Sequence, residues 1–401
     1  MAPELFHFTY DSPDNPWCGG GGAQRDFEIL HHLEKDWKVS VFCGTHPKVG
    51  CTSTPCRREN LGLPFLGEMG SRWSYAWHAG RHARAALRRG NVVISHVASC
   101  FAPVLPLSAS NPAVVHSVYH LIDRDSLIRR IGPLGLLGWR LQQRVIQNGL
   151  WFLTINRETS RRIAAQNPNA RIRIIPTGFH PPKETPVPFG TADKPYIVFL
   201  GRLDHHMKGL DRLMSAFGQV AAEFPSLELR LAGRSDAAMD AWLEKNLAAH
   251  PFAARIHIHR NPSEADKYSL LAGAQFFCSP SRFEGWCIAA IEASSQGLPV
   301  VATRTDGFLD SAPDGYTSIL VNNDDDATCS VELAAAFQRL LTEPALRERL
   351  GANGREWAHR FDWPSTARMQ GEFYRQVLDC LHGAPLPPPG IVNTMESFLP
   401  T

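Results

Sequence analysis

The chain alternates short apolar runs with amphipathic segments, and the series occurs twice. The first set of apolar runs, which predict strands, is Leu5–Tyr10, Val39–Cys43, Val92–His96, Ala113–Val118, Phe152–Ile155 and Arg173–Ile175. The second set is Tyr196–Leu200, Leu227–Ala232, Ile256–His259, Gln275–Cys278, Val300–Thr303 and Ser318–Val321. Strands that alternate with helices favour parallel sheets with crossover helices. The sequence therefore predicts an α/β protein with two doubly wound, Rossmann-like domains that face each other across a ligand-binding cleft.

A proline-rich stretch separates the two series. Five prolines and a glycine lie between Ile175 and Pro188, which excludes a helix or a central strand there. We expect a first domain over 1–180, a linker over 181–194 and a second domain over 195–364. A last helix over 365–382 is predicted to pack back on the first domain, and the proline-rich tail over 383–401 is predicted to be mobile.

Composition narrows the class of protein. With 44% hydrophobic and 20% charged residues in a chain of 401, the protein is expected to be globular. No apolar run reaches the length of a membrane-spanning helix, and the N-terminus lacks the basic and apolar regions of a signal peptide. The nine cysteines form no CxxC pair, which favours reduced thiols. These features predict a cytoplasmic protein.

Positive charge is concentrated in the first half. Residues 1–190 hold 22 of the 41 Lys and Arg residues but only 13 of the 39 Asp and Glu residues. A helical pattern near residues 72–90 carries a set of aromatic and basic residues at helical spacing: Trp73, Trp77, Arg81, Arg84 and Arg88. A second stretch over 127–140 also mixes apolar and basic residues. Either an anionic membrane or ordinary packing on the sheet explains this pattern.

The segment Gly201–Gly209 follows a predicted strand and opens a helix. Gly201 allows a tight turn, Arg202 offers a planar fork for phosphate oxygens, and Lys208 offers a compact positive charge. The N-terminus of the following helix adds partial positive charge. The segment is suited to a diphosphate, although a solvated loop with two ordinary cations is the alternative.

Two glutamates lie eight residues apart after another predicted strand. Glu284 precedes a predicted helix over Cys287–Gln296, where it could act as a capping residue, and Glu292 lies in an apolar part of that helix. A carboxylate in apolar surroundings needs a partner or a ligand hydroxyl. Eight helical residues rise about 12 Å, which exceeds the carboxylate separation of a glycosidase. Two carboxylates that bind different hydroxyls of one long ligand fit this spacing better.

Two further features lie in the first half. Glycines 19–22 follow the first strand, where bare backbone can approach an anion. Neither a dinucleotide fingerprint nor a P-loop is present, which argues against an NAD enzyme and a P-loop nucleotidase. Either His116 or His120, at a strand end, could donate to a sugar hydroxyl or a phosphate. The run Asp324–Asp326 is interpreted as a helix cap and not as a metal site.

Together these segments resemble the retaining glycosyltransferases of family 4, which have the GT-B fold. The most specific part is Glu284-x7-Glu292, within Ser279-Pro280-Ser281-x-x-Glu284-Gly285 and followed by Gly297-Leu298-Pro299. The second part is Gly201-Arg202 with Lys208-Gly209 upstream. The resemblance extends over nearly the whole chain and implies transfer of a hexosyl group from a UDP- or GDP-sugar to an acceptor hydroxyl. Glycan, polysaccharide or glycolipid synthesis would be the setting.

The resemblance also implies roles for residues. The catalytic set would be Glu284 at the donor sugar, Arg202 and Lys208 at the diphosphate, and His120 at the strand end. The donor-binding set would be Gly201, Glu292 at the ribose, the backbone at Gly285, Trp286 and Cys287, and the glycine loop at Gly20, Gly21 and Gly22. No cofactor and no metal would be required, because Arg202 and Lys208 supply the positive charge.

Other functions remain open at this level. A non-catalytic sugar-nucleotide-binding subunit of the same fold and a nucleotide-sugar epimerase are the alternatives. The acceptor is expected to be a sugar, a glycan or a lipid-linked molecule, with peripheral contact at the inner face of the membrane as an option through the basic half. Nucleic acid is not expected as a partner, because the basic half lacks a recognised motif and the other half is acidic.

Overall fold

The computed structural model describes residues 2–15, 19–47, 57–97, 109–188 and 194–393. The chain divides into two compact units, which are Met1–Gly178 with Trp363–Thr401, and Phe179–Asp362. The first unit thus ends at Gly178, and the chain returns to it at Trp363. Of the predicted linker over 181–194, residues 189–193 lie outside the described part of the chain.

The first unit contains one eight-stranded parallel sheet. Its strands are β1 (Glu4–Phe8), β2 (Lys38–Gly44), β3 (Arg57–Leu61), β4 (Val92–Val97), β5 (Val114–Val118), β6 (Trp151–Thr154), β7 (Arg171–Ile174) and β14 (Gly390–Asn393). They are ordered β14-β7-β6-β5-β4-β1-β2-β3. The strand order reverses beside β1, since β2 lies on one side of it and β4 on the other. This reversal is the mark of a doubly wound sheet.

Helices connect these strands and cover the sheet. They are α1 (Gly21–Leu33), α2 (Gly67–Leu87), α3 (Arg124–Ile131), α4 (Leu134–Asn148), α5 (Arg157–Gln166) and α13 (Trp363–Leu381). The last of them, α13, packs against α1 and β4. The first residue of α13 packs closely against Gly178, where the chain leaves the unit. A Cβ on Gly178 would lie 2.8 Å from the backbone nitrogen of Trp363.

Two strands of this sheet differ from the expectation. Strand β3 has the sequence Arg-Arg-Glu-Asn-Leu, which shows no apolar run because it lies at the sheet edge. Strand β14 pairs with β7 from Gly390 to Asn393, so the prediction of a mobile tail from residue 383 is wrong for these residues. Its backbone completes the other edge of the sheet. Residues 394–401 lie outside the described part of the chain.

The second unit contains a six-stranded parallel sheet ordered β10-β9-β8-β11-β12-β13. Its strands are β8 (Tyr196–Leu200), β9 (Glu228–Gly233), β10 (Ile256–Arg260), β11 (Phe276–Ser279), β12 (Val300–Thr303) and β13 (Ser318–Val321). Its helices are α6 (Leu210–Ala221), α7 (Ala237–Ala249), α8 (Glu264–Ala272), α9 (Ile288–Ser295), α10 (Phe308–Ser311), α11 (Asp326–Thr342) and α12 (Pro344–Ala358).

Both faces of this second sheet are buried. Along β8, Ile197 and Phe199 belong to one apolar cluster, whereas Tyr196 and Val198 belong to another. Successive side chains of a strand point to opposite faces, so helices must cover the sheet on both sides. This requirement explains why the strands read as continuous apolar runs. The α/β, doubly wound character predicted for this half is confirmed by the sheet order.

None of the described helices combines the length and the apolar character needed to cross a bilayer.

Candidate functional site

The second sheet reverses its strand order between β8 and β11. Strand β9 pairs on one side of β8, and β11 pairs on the other. The loops that follow β8 and β11 therefore leave the same edge of the sheet side by side, and ligands of doubly wound folds bind at this point. These two loops, 201–209 and 280–287, carry seven of the predicted site residues.

Loop 201–209 begins with a close backbone contact. Gly201 has φ +158°, and a Cβ on the neighbouring Gly233 would lie 1.6 Å from the carbonyl oxygen of Gly201. Only glycine allows the two strand ends to approach so closely. Asp204 then accepts hydrogen bonds from the backbone N–H groups of His206 and Met207, at 3.1 and 2.7 Å. These bonds shape the turn that presents Lys208.

Lys208 and Glu284 form an ion pair across the two loops. The Lys208 Nζ donates to Glu284 Oε2 at 2.6 Å, and both side chains are largely shielded from solvent. Burial is the largest single effect on the pKa of Lys208 and would lower it. The charge and hydrogen bond of Glu284, together with the Cys287 thiol, outweigh burial, so the pKa is raised above its ordinary value. Lys208 is therefore a permanent cation. Its ammonium has three N–H donors. One donates to Glu284, so two remain.

Arg202 lies on the same loop and is more exposed. About half of its side chain is accessible, and its guanidinium lies 3.5 Å from Asp204. Its positive charge acts on Lys208, whose pKa it lowers slightly against the larger effects of burial and Glu284. The loop thus places two cations within electrostatic range of each other, beside the point where the strand order reverses.

The backbone of loop 280–287 differs from the expectation. Helix α9 begins at Ile288, with Cys287 as its N-cap residue at φ +67°. Glu284 therefore lies four residues before the helix, and its interpretation as a plain capping residue is wrong. The helical rise of about 12 Å over eight residues does not apply to Glu284 and Glu292, because only the last part of the intervening chain is helical.

The remaining residues of this loop are tightly packed. Trp286 is 3% exposed and packs edge-on against Phe361, at 5.4 Å between ring centroids. A Cβ on Gly307 would lie 2.5 Å from the backbone of Gly285 and Trp286. The Trp286 side chain is thus part of the core, so of this residue the backbone alone remains available for a ligand.

The thiol of Cys287 reports how closely the charges are grouped. Burial raises its pKa to about 12, with a further rise from Glu284 and Glu292 and an opposing effect of Lys208. All three charged side chains therefore act on one buried atom. Lys208, Glu284 and Glu292 thus all lie close enough to Cys287 to influence the pKa of its thiol.

Glu292 has a partner that the sequence analysis missed. Lys267, on α8, donates to Glu292 Oε1 at 2.7 Å and to Glu264 at 2.6 Å. Burial raises the pKa of Glu292, and Lys267 opposes that rise. The missed signal was a lysine at a buried position of an otherwise apolar helix face. Lys267 keeps a carboxylate oriented in a site from which water is largely excluded.

The other predicted site residues belong to the first unit. Helix α1 begins at Gly21, with Gly20 as an extended N-cap that makes no side-chain hydrogen bond. Gly20, Gly21 and Gly22 are exposed. A Cβ on Gly20 would meet nothing within 4 Å among the described atoms. Packing there does not require glycine, and the bare first turn of the helix is accessible to an anion.

The two candidate histidines have different positions. His120 is exposed and lies just beyond the end of β5. His116 is buried within β5, contacts the Ala109 carbonyl oxygen at 3.0 Å through Nε2, and has its pKa lowered by burial to about 4. The His116 side chain is thus part of the interior, whereas His120 is exposed.

The acidic run Asp324–Asp326 lies at the start of helix α11. Asp325 accepts a hydrogen bond from the backbone of Thr328 and caps α11, while Asp326 pairs with Arg212 and Arg282. Within the described ranges, no group of three or more His, Cys, Asp and Glu side chains is arranged to hold a metal ion.

Two family models match the chain in consecutive segments. Residues 19–181 match "Glycosyltransferase Family 4", and residues 184–357 match "Glycosyl transferases group 1". These segments correspond to most of the first unit and most of the second.

Characterised relatives and solved structures agree with this match. An MMP alpha-(1->4)-mannosyltransferase of Mycolicibacterium hassiacum is 26% identical over 90% of this chain and 95% of its own. A phosphatidyl-myo-inositol mannosyltransferase of Mycobacterium tuberculosis is 31% identical over 45% of this chain and 47% of its own.

Sucrose-phosphate synthase from Thermosynechococcus elongatus superposes with a TM-score of 0.75 at 20% identity, covering 94% of this chain and 100% of that one. Anabaena HepE in complex with UDP-glucose gives 0.68 at 14% identity, covering 93% and 99%. The order of motifs, the two sheets and these matches together establish that the chain belongs to glycosyltransferase family 4 and has the GT-B fold.

Proposed function

We propose that this glycosyltransferase transfers a hexosyl group from a nucleotide-diphosphate sugar to an acceptor hydroxyl, with retention of the anomeric configuration. The observation that carries the proposal is the Lys208–Glu284 pair at the switch point of the second sheet, with its 2.6 Å contact. A cation and a carboxylate held side by side match a diphosphate next to a sugar. The buried Glu292 supplies a second carboxylate for the ribose.

In this proposal each charged residue binds a different part of the donor. The two unused donors of Lys208 and the fork of Arg202 bind the diphosphate oxygens. Glu284 accepts from hydroxyls of the sugar, and Glu292 accepts from hydroxyls of the ribose. The backbone N–H groups of Gly285–Cys287 cap the phosphate. Lys208 stabilises the charge that develops on the departing diphosphate.

The predicted residues of the first unit have suitable chemistry of their own. The exposed first turn of α1 at Gly20–Gly22 can bind a phosphate or another anion through its backbone N–H groups. His120 can donate to a sugar hydroxyl. Retention then follows if the acceptor attacks from the face that the diphosphate leaves, with the leaving phosphate taking the acceptor proton. Catalysis rests on positioning and charge stabilisation.

The donor is tested directly by ligand-induced thermal stabilisation. The mycobacterial relatives are named as mannosyltransferases, so GDP-mannose is the first donor to test and UDP-glucose the second. A ligand at a hundred times its Kd stabilises the folded state by about 2.7 kcal/mol. We expect one of these donors to raise the Tm of the wild type and not that of Glu292→Ala. A shift of equal size in both proteins would contradict the site. The control is Glu356→Gln, which changes an exposed side chain of α12.

We propose that transfer needs no divalent metal. Arg202 and Lys208 supply at least two positive charges where the diphosphate is placed. Activity is therefore expected to persist at full level in excess EDTA. The measurement is the initial rate of donor hydrolysis or transfer with EDTA and with added manganese. A strict dependence on manganese would refute this part of the proposal.

We also propose that the acceptor is approached at an anionic membrane surface. One face of α2 packs on the sheet, and the other exposes Trp73, Trp77, Arg81 and Arg84. We call these four side chains, together with the exposed Arg88 just beyond the end of the helix, the α2 stripe. Trp77 is 56% exposed, and the Arg81 guanidinium lies 5.1 Å from its ring centre. Phe65, just before the helix, is 76% exposed. Aromatic and basic side chains on one exposed face suit an interface with acidic lipid.

Vesicle co-sedimentation tests the membrane proposal. We expect the protein to pellet with vesicles that contain phosphatidylglycerol and not with pure phosphatidylcholine, since each cation near an anionic surface contributes about 1 kcal/mol. The double variant Trp77→Gln/Arg81→Gln should pellet less. Val331→Gln changes an exposed apolar residue of α11 in the other unit and should behave as the wild type. Absence of pelleting with anionic vesicles would refute the proposal.

A further inference from the structure

We propose that Arg282 is a positioning residue that sets the Lys208–Glu284 distance by clamping loop 201–209 to loop 280–287. The inference rests on the proposed donor site, since it assigns a residue that acts through Lys208 and Glu284. The juxtaposition that points to it is one buried guanidinium between the two loops that carry the ion pair.

Arg282 holds the loop that presents Lys208. Its side chain is 9% exposed, and its Nη1 donates to the carbonyl oxygen of His206 at 2.6 Å. Its backbone N–H donates to the carbonyl oxygen of Met207 at 3.0 Å. Both carbonyls belong to the two residues that precede Lys208. Arg282 itself precedes Glu284 by two residues in loop 280–287. One residue therefore links the two loops that carry the ion pair.

The guanidinium is fixed in turn by two carboxylates. Its Nη2 lies 2.7 Å from Asp211, in the first turn of α6, and 2.7 Å from Asp326, the first residue of α11. Arg212 braces the same carboxylate, with its Nη2 at 2.6 Å from Asp326. The carbonyl oxygen of Arg282 accepts from Asn323 at 3.1 Å. Because two carboxylates hold the planar guanidinium, it cannot turn away from the carbonyl oxygen to which it donates.

This arrangement explains how two loops keep a short contact. Loops move more than the strands they join, and a misplacement of about 1 Å in a catalytic group can cost on the order of a hundredfold in rate. The Arg282 cluster joins loop 201–209, loop 280–287, α6 and α11 in one charged network. Such a network contributes little to stability by itself, since buried ion pairs offset their own desolvation. Its effect is geometric.

The test is a double-mutant cycle on the full chain, with GDP-mannose and UDP-glucose as the donors. We expect Arg282→Gln to lower kcat/KM for the donor on the order of a hundredfold, and Arg282→Lys to restore part of it. In a Lys208→Met background, Arg282→Gln should change kcat/KM by less than about twofold, because residues that act as one unit are not additive. Losses that multiply would overturn the inference.

A matched variant separates positioning from general stability. Arg255 also clamps carbonyls in this unit, donating to those of Ala221 and Pro225 at 2.7 and 2.8 Å, but at the opposite end of α6. Arg255→Gln is expected to lower the Tm and leave kcat/KM unchanged. If Arg282→Gln behaves as Arg255→Gln does, the positioning role is refuted.

Hydrogen exchange tests the clamp without any substrate. Peptides over 202–209 and 281–287 should exchange faster in Arg282→Gln than in the wild type, and the peptide over 345–358 should not. Unchanged exchange in the two loops would overturn the clamp. Full activity of Lys208→Met alone would instead overturn the proposed donor site, so the two failures are distinguishable.

Discussion

Replacement of Lys208 by methionine is expected to lower the rate of sugar transfer by about 10²–10³-fold, which is the loss seen when one preorganised donor to a developing oxyanion is removed. Methionine keeps most of the length and apolar stem of lysine. The change therefore removes the charge and leaves the volume of the side chain nearly intact.

The physical reason is that Lys208 serves two partners at once. Its ammonium lies 2.6 Å from Glu284 Oε2 and, in the proposal, also faces the diphosphate. Without it the leaving group loses a cation, and Glu284 becomes a shielded carboxylate without its counter-charge. Since the charge on the diphosphate grows as the glycosidic bond breaks, the larger loss is expected in kcat and the smaller one in KM.

The measurement is steady-state transfer or donor hydrolysis by the purified chain. Lys38→Met is the matched control, because Lys38 forms a comparable contact of 2.8 Å with Glu4 but lies exposed in the first unit. That variant should keep the activity of the wild type. A Lys208→Met protein with unchanged kcat would show that the ion pair is structural and would refute its proposed role.

The sequence predicts most of the strands because both sheets are parallel and buried on both faces. In the second unit, the predicted strands Tyr196–Leu200, Val300–Thr303 and Ser318–Val321 coincide with β8, β12 and β13. The pattern fails at the edge of the first sheet, where β3 has a charged sequence and shows no apolar run. It fails again at β14, because the prolines before Gly390 obscure four residues that pair with β7.

The candidate site shows a similar limit. Motif spacing singles out Lys208, Glu284 and Glu292 as candidates, because their residue types suit the chemistry directly. It does not indicate Lys267 or Arg282, because their contacts join segments far apart in the chain. The start of α9 differs from the prediction by one residue, since Cys287 adopts a positive φ that no local pattern predicts. Long-range contacts of this kind become visible only in three dimensions.

Replacement of Gly209 by alanine is expected to destabilise the protein by about 2–5 kcal/mol, which combines the strain of a left-handed residue with overpacking. Gly209 has φ +68°, and a Cβ there would lie 2.1 Å from the carbonyl oxygen of Pro280. Backbone on one loop therefore abuts backbone on the other, with no flexible side chain to yield.

Gly315→Ala separates the two causes, because Gly315 has φ +72° but nothing within 4 Å of its Cβ position. That variant should show the conformational strain alone, about 1–2 kcal/mol. The measurement is the free energy of unfolding from denaturant titration, compared for the two variants.

The additional loss of stability in Gly209→Ala measures the close contact between loops 201–209 and 280–287. Since a methyl group there must push apart the segments that carry Lys208 and Glu284, kcat should fall with it, whereas Gly315→Ala keeps full activity. Equal stability losses in the two variants would contradict the close approach that brings this cation to its carboxylate.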